Sequence, residues 1–310
     1  MSTPCTELAG DLGAALDPVA FCQRYLRSQL PQLDEWQEQA CRISAKNVQL
    51  LCGRQTGKST LAAMIALWKL TMWPGSLTLL ISPTLRQSSE LFRKCMAMFD
   101  VMTTPPGVVN RSKTEIQTAI GSKVFSLPGA NPDTIRGYSA PDLVIEDEAA
   151  FVNDRTFAAT RPMLATNPNA MHMLLTTPYG RRGHFYDLWR AQHSGWSRFM
   201  IKSKDCPRIS AEFLAGEQTV LSDRSYRQEY QCEFLESSTA VFPSDLVQRL
   251  MDENQRRVIM PDHDELRERR KELREVETIE DLRAYHKRHG IDGDNIISSM
   301  NQGPGPWSDV

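Results

Sequence analysis

The chain has 310 residues, 41% of them hydrophobic and 24% charged, and a formal net charge of -2. Its length suffices for a substantial core, and its composition is that of an ordinary soluble globular protein. The balanced charge excludes a uniformly basic nucleic-acid binder, so any contact with a polyanion must come from a local patch.

Residues from about 8 to 30 carry helix-like apolar spacing broken by Pro18, and after Pro31 the stretch "QLDEWQEQACRI" is again helical. The N-terminus is acidic rather than basic, which argues against a secretory leader. "NVQLLC" (47–52) has the continuous apolar character of a buried strand; a glycine-rich turn and a helix to about Met72 follow. The apolar run from Leu61 to Trp68 is stopped by Lys69 and is too short to span a bilayer. "SLTLLIS" (76–82) is a second strand, followed by the helix "LRQSSELFRKCMAMF". "TEIQTAIGSKVFSLP" alternates around Gly121 as a hairpin does, and "DLVIEDEAAF" (142–151) and "MHMLLTTP" (171–178) hold two further strands. Strands alternating with helices predict a largely parallel sheet covered on both faces.

After Pro207 the pattern is helical in "SAEFLAGEQTVL" and "SYRQEYQCEFL". From about Asp252 the chain becomes dense in both charge signs, and Leu266, Leu273, Val276, Ile279 and Leu282 form one apolar stripe. The Glu265–Arg269 spacing supports a helix over 262–288, either solvated or docking a partner. The closing "SSMNQGPGPWSDV" reads as a loose terminus. His286 and His289 are better placed on a solvated helix face than on a metal. The seven cysteines are scattered with no Cys-x-x-Cys pair, the pattern of reduced thiols in a cytosolic compartment.

Chemistry concentrates in "LLCGRQTGKST" (50–60). A phosphate-binding loop uses glycines so that backbone N–H groups can wrap phosphate oxygens at a helix start. Here Cys52 stands where the first glycine is usual, and Gly53 follows one place late. Lys58 and Ser59 nevertheless occupy the positions that contact phosphate and magnesium. "LVIEDEAA" supplies an acidic pair at the end of an apolar strand: Asp147 to hold the magnesium and Glu148 to activate the attacking water. Glu146 sits where a hydrophobic residue is more usual.

With these motifs in order, the sequence resembles the large subunit of tailed-phage terminases, in which the loop itself departs from the common form as "GRQTGKS" does. "DEWQ", "LLISPTLRQSSELF", "TIRGYSAPDLVIEDEAAFV", "LLTTPYGRRGHFYDLW" and "YRQEYQCEFLESSTAVF" match further family segments, and the likeness runs from about residue 17 to 245. It implies a P-loop NTPase of the additional-strand (ASCE) type, an α/β fold with a mostly parallel central sheet, a small helical subdomain and a charged C-terminal helix. It divides the chain into a helical lid segment (1–30), an ATPase core (31–204), a linker subdomain (205–245) and a charged tail (246–310).

The resemblance also implies an ATP- and magnesium-dependent motor that drives double-stranded DNA into a procapsid in the host cytoplasm, as a ring on the portal protein, together with a small terminase subunit. It places Trp36 and Gln37 near the base. Gly53, Gln55, Thr56, Gly57, Lys58, Ser59 and Thr60 lie around the phosphates, with Ser59 and Asp147 on the metal. Glu148, Lys58, Arg54 and Arg136 take catalytic roles, Arg136 as an arginine finger offered to a neighbouring subunit. Either arginine would serve equally as a structural ion pair. Thr176 and Thr177 would sense the γ-phosphate, or simply end a strand. Arg181, Arg182 and His184, followed by Phe185, Tyr186 and Trp189, form a basic and aromatic patch for DNA or a helix start packed into the core. "GIDGDN", with Asp292 and Asp294, is too near the end to open a nuclease domain, so the expectation is either a split system, with cleavage from a separate polypeptide, or a truncated gene product. The rival functions are a helicase-like ATPase and a non-hydrolysing assembly module, the latter resting on Cys52 and Glu146.

Overall fold

The computed structural model describes residues 4–26, 33–43, 45–191, 195–235, 272 and 279–288. The chain divides into two compact units, Met1–Ser244 and Asp245–Val310. In the first, α1 (Pro4–Leu16), α2 (Pro18–Tyr25) and α3 (Glu35–Cys41) precede β1 (Asn47–Cys52), α4 (Lys58–Met72), β2 (Leu77–Ser82) and α5 (Leu85–Asp100). Three short strands follow, β3 (Val108–Arg111), β4 (Glu115–Thr118) and β5 (Lys123–Pro128), then β6 (Leu143–Asp147), α6 (Asp154–Met163), β7 (Met171–Thr176), α7 (Gly183–Arg190) and β8 (Ser197–Ile201). Helices α8 (Ala211–Val220) and α9 (Asp223–Gln231) close this unit. In the second, α10 (Ile279–Arg288) is described. Apart from Glu272, the rest of the expected helix over 262–288 lies outside the described residues, as do His289, Asp292, Asp294 and the closing segment.

The sheet has eight strands in the order β3-β4-β5-β2-β6-β7-β1-β8. From β5 to β8 all neighbours run parallel, while β4 pairs antiparallel with β3 and β5. Strand β7 is inserted between the loop strand β1 and the acidic strand β6. That insertion is the mark of the ASCE-type P-loop NTPase fold, which the chain adopts. β1, β2, β6 and β7 are buried over nearly their whole length, as expected of parallel strands with helices on both faces.

Period-two alternation sorts the strand residues between those faces. Val48, Leu50, Leu80, Leu143, Ile145, Met173 and Leu175 join α4, α5 and the N-terminal helices in the main core. Leu51, Leu79, Ile81, Val144 and Leu174 form smaller clusters on the other face, where Phe157 and Phe185 of α6 and α7 pack. Cys52 belongs to the main core and is fully buried. The two faces therefore divide the acidic segment as well: Asp147 shares the side of Ile145, and Glu146 the side of Val144.

Candidate active site

Strand β1 ends at Cys52, and the following loop carries two residues in left-handed backbone, Gln55 (φ 62°) and Gly57 (φ 94°), before α4 begins at Lys58. The backbone at position 57 calls for glycine, and a Cβ there would also displace the side-chain ends of Arg208 and Gln37, 2.8 Å and 2.9 Å away. At Gly53 a Cβ would meet the Ser203 hydroxyl and backbone nitrogen, so the displaced glycine is fixed by its close approach to the segment after β8. Gly53 and Arg54 also donate their backbone N–H groups to the carbonyls of Ile201 and Glu229, at 2.8 Å each.

The loop faces the end of β6. Ser59 Oγ donates to Asp147 Oδ2 at 3.1 Å, and Lys58 Nζ lies 3.0 Å from Glu148 Oε1. Glu148 itself adopts left-handed backbone (φ 54°), which turns its side chain away from the strand line and toward Lys58. Thr176, the last residue of β7, lies 3.4 Å from Glu148 Oε2 through its hydroxyl and donates to the Thr177 carbonyl at 2.7 Å. Burial pushes Asp147 up to about 6, against the pull of Lys58 and the hydrogen bond from Ser59. Burial also disfavours the Lys58 ammonium, but Glu148 and Asp147 outweigh it and hold the pKa above its ordinary value. A buried carboxylate left partly uncompensated beside a lysine and a serine hydroxyl suits a divalent cation.

A cavity of about 770 Å³ opens here, lined by the loop from Arg54 to Thr60 together with Glu148, Thr177, Arg208 and Glu229. Its volume, the left-handed loop at a helix N-terminus and the Ser59–Asp147 pair fit a magnesium-bound nucleoside triphosphate. The structure thus brings together Arg54, Gln55, Thr56, Gly57, Lys58, Ser59, Thr60, Asp147, Glu148, Thr176 and Thr177. Gly53 is buried beneath the loop. Arg54 is paired with Glu229 of α9 at 2.5 Å and has a largely exposed side chain.

Other expected residues lie elsewhere. Trp36 packs against the main core and donates its indole N–H to Asp34 at 3.2 Å. Gln37 is buried with both ends of its amide engaged, accepting from the Asp34 N–H at 2.9 Å and donating to the Gly57 carbonyl at 3.4 Å. Gln37 therefore reaches the back of the loop, and neither residue lines the cavity. Arg136 is exposed, pairs with Asp133 at 3.3 Å and lines a separate surface cavity with Asn131 and Arg155. Of the two readings of the basic and aromatic stretch, His184 and Phe185 follow the second: both are buried, because the amphipathic helix α7 turns them toward the sheet, while Arg181 and Arg182 are exposed. Arg208 was not anticipated. It donates to the Thr56 carbonyl at 2.7 Å and pairs with Asp34 at 2.9 Å, clamping the loop between two distant segments. Nothing in the local sequence "CPRIS" signals this role, since its partners meet it only in the fold.

Comparison with known proteins agrees with this fold. Residues 50–249 match the family model "Terminase large subunit, T4likevirus-type, N-terminal". The large terminase subunit of Thermus phage G20c is 27% identical, over 65% of this chain and 48% of that protein. That of Thermus virus P23-45 is 26% identical with the same coverage. The chain spans about half the length of these relatives. Among solved structures, the large terminase ATPase domain of Thermus phage P74-26 superposes with a TM-score of 0.57 at 24% identity, covering 66% of this chain and 94% of that one. The large terminase of another thermophilic bacteriophage, solved in complex with ADP, gives a TM-score of 0.55 at 11% identity, covering 65% of this chain and 52% of that one. With nearly two thirds of its residues matching one family model across the loop and the acidic strand, the chain belongs to the terminase large-subunit family, T4likevirus-type N-terminal part.

Proposed function

We propose that this chain is a magnesium-dependent ATPase, the motor part of a viral terminase that drives double-stranded DNA into a procapsid. The observation that carries this reading is the convergence of Lys58 on Glu148 and of Ser59 on Asp147 at the ends of two parallel strands separated by one inserted strand. The ADP complex of the thermophilic-phage terminase supports the choice of an adenine nucleotide.

Bound Mg²⁺ would neutralise phosphate charge and order the phosphate oxygens for in-line attack. Ser59 and Asp147 would hold it. Lys58, now paired with Glu148, is the cation for which incoming phosphates compete. Its transfer to phosphate frees the Glu148 carboxylate to accept a proton from the attacking water. Thr176, within reach of Glu148, relates the state of that carboxylate to the segment following β7. Arg54 would exchange Glu229 for phosphate oxygens, and Arg136 would act across a subunit boundary in a ring, where its exposed guanidinium has access to a neighbour. Portal protein, small terminase subunit and DNA are the partners this role requires, and host cytoplasm its setting. No helix among the described residues is long and apolar enough to cross a membrane.

The assembly-module alternative draws no support from its two motif departures. Cys52 is enclosed in the main core and Glu146 points to the opposite face of the sheet, so neither touches the cavity. The deciding experiment measures ATP turnover with DNA and procapsids present. Lys58→Ala should abolish it, and Glu148→Gln should lower it by about 10²-fold or more while nucleotide binding persists. Full turnover in Glu148→Gln would remove that residue as the base, and no turnover in the wild type would remove the motor reading.

A further inference from the structure

Behind the acidic pair lies a second ionisable cluster that the proposed chemistry does not use. Glu146 is fully buried on the sheet face opposite Asp147. Its Oε1 accepts a hydrogen bond from His172 Nε2 of β7 at 2.9 Å and a longer one from the Thr160 hydroxyl of α6 at 3.4 Å. Its Oε2 lies 3.2 Å from His184 Nε2 in the first turn of α7, an ion-pair contact outside hydrogen-bond geometry. The other nitrogen of that ring, Nδ1, is 3.0 Å from Asp154 Oδ1, which also accepts the His184 backbone N–H at 2.8 Å. Ionised carboxylates only accept hydrogen bonds, so a ring set between two of them faces both favourably when both nitrogens carry protons. The Phe157 ring stacks on both imidazoles, 4.5 Å from His184 and 5.7 Å from His172, and closes the cluster from solvent.

Packing alone does not call for such a group. The same face of the neighbouring strand positions carries Val144, Leu174 and Leu51, and apolar residues of similar volume serve a fold as well as a buried ion pair or better. What the cluster does add is a connection. Glu146 and Asp147 are consecutive on a fully buried strand, so a displacement of one carries the other. His184 stands immediately after Gly183 (φ 82°) and the exposed Arg181 and Arg182. We propose that the Glu146–His184 pair is a positioning link that transmits nucleotide occupancy of the Lys58 loop, through the end of β6, to α7 and the Arg181–Arg182 segment. The link rests on the nucleotide-site reading above and gives that site a route to a surface able to meet a polyanion.

Amide hydrogen exchange on the full chain, with and without Mg²⁺ and a non-hydrolysable ATP analogue, tests it. In the wild type, protection should rise both in the loop 53–60 and in α7. In Glu146→Gln, which keeps shape and acceptor but removes the charge, and in His184→Gln, the loop should still gain protection while α7 does not. Analogue affinity should stay within about threefold of wild type, and the stimulation of hydrolysis by double-stranded DNA should fall by about fivefold or more, the range of ordinary coupling energies. Wild-type-like protection of α7 in both variants overturns the proposal, and so does a wild type that protects the loop but never α7. Loss of cooperative unfolding in both variants assigns the pair to stability alone and overturns it too. A wild type that protects neither segment refutes the nucleotide site itself, and the link falls with it.

Discussion

Two carboxylates adjacent in sequence, Glu146 and Asp147, experience opposite environments because a β-strand sends them to opposite faces of one sheet. Both are buried, and burial alone raises a carboxylate. On the α6–α7 face, His172 and His184 outweigh that effect and hold Glu146 down at about 2. On the α4 face, Lys58 and Ser59 compensate only in part, and Asp147 stands at about 6. The chain supplies Glu146 with its counter-charge and leaves Asp147 short of one. A carboxylate satisfied from within is a structural or connecting group; one left wanting a cation is built for a ligand.

The strongest test of this contrast substitutes each acid in turn. Asp147→Asn should lower hydrolysis by about 10²-fold or more, the loss of a metal-holding group. In the metal-free protein the same change should raise stability by about 1–2 kcal/mol, since it deletes a buried and under-compensated charge. Urea titration with and without Mg²⁺-nucleotide reads both effects; a metal-free variant less stable than wild type would show that Asp147 is already satisfied. Glu146→Leu should do the reverse, costing about 3–5 kcal/mol by leaving His184 without its buried partner while the loop still binds nucleotide.

Arg54 sharpens the contrast from the cavity side. Its pair with Glu229 is largely exposed, so Arg54→Ala should cost about 1 kcal/mol or less in stability. Hydrolysis should fall by well over about tenfold if Arg54 turns to phosphate during turnover. Equal, small effects on both would leave Arg54 as a structural tether to α9.

Much of this arrangement is legible in the sequence because its parts are contiguous. "NVQLLC" and the helix to Met72 are continuous runs that bury both faces, and the structure places β1 and α4 there. Lys58 with Ser59, and Asp147 with Glu148, are neighbours in the chain, so each pair is legible by itself at a strand end, and the parallel sheet brings both ends to one edge. The edge strands β3 and β8 escape such a reading. β3 is exposed throughout and β8 buries only its last residue, so neither prints an apolar pattern. Arg208, Asp34 and Glu229 come from separate segments, and only folding brings them to the loop. Glu146 is visible in the sequence as an oddity, but its partners lie on β7, α6 and α7, and its face of the sheet can be assigned only once the strand register is known.

The smallest effect concerns pH and bears on the Glu146 side alone. Burial would lower the pKa of His184, but Glu146 and Asp154 outweigh it and hold the ring above 6.5. A folded-state pKa raised above the unfolded value contributes stability that is fully present below about 6.5 and is lost as pH rises through the folded pKa. Glu146, depressed from 4.5 to about 2, contributes stability present above 4.5 and lost as pH falls through about 2. The pair is therefore at full strength between pH 4.5 and 6.5. The difference in urea midpoint between wild type and His184→Gln should be largest in that window and narrow steadily toward about pH 9. A difference that instead grows as pH rises from about 5 to about 7 would mean that His184 is neutral in the folded protein. The cluster would then be a set of ordinary hydrogen bonds, and Glu146 would owe its burial to His172 and Thr160 alone.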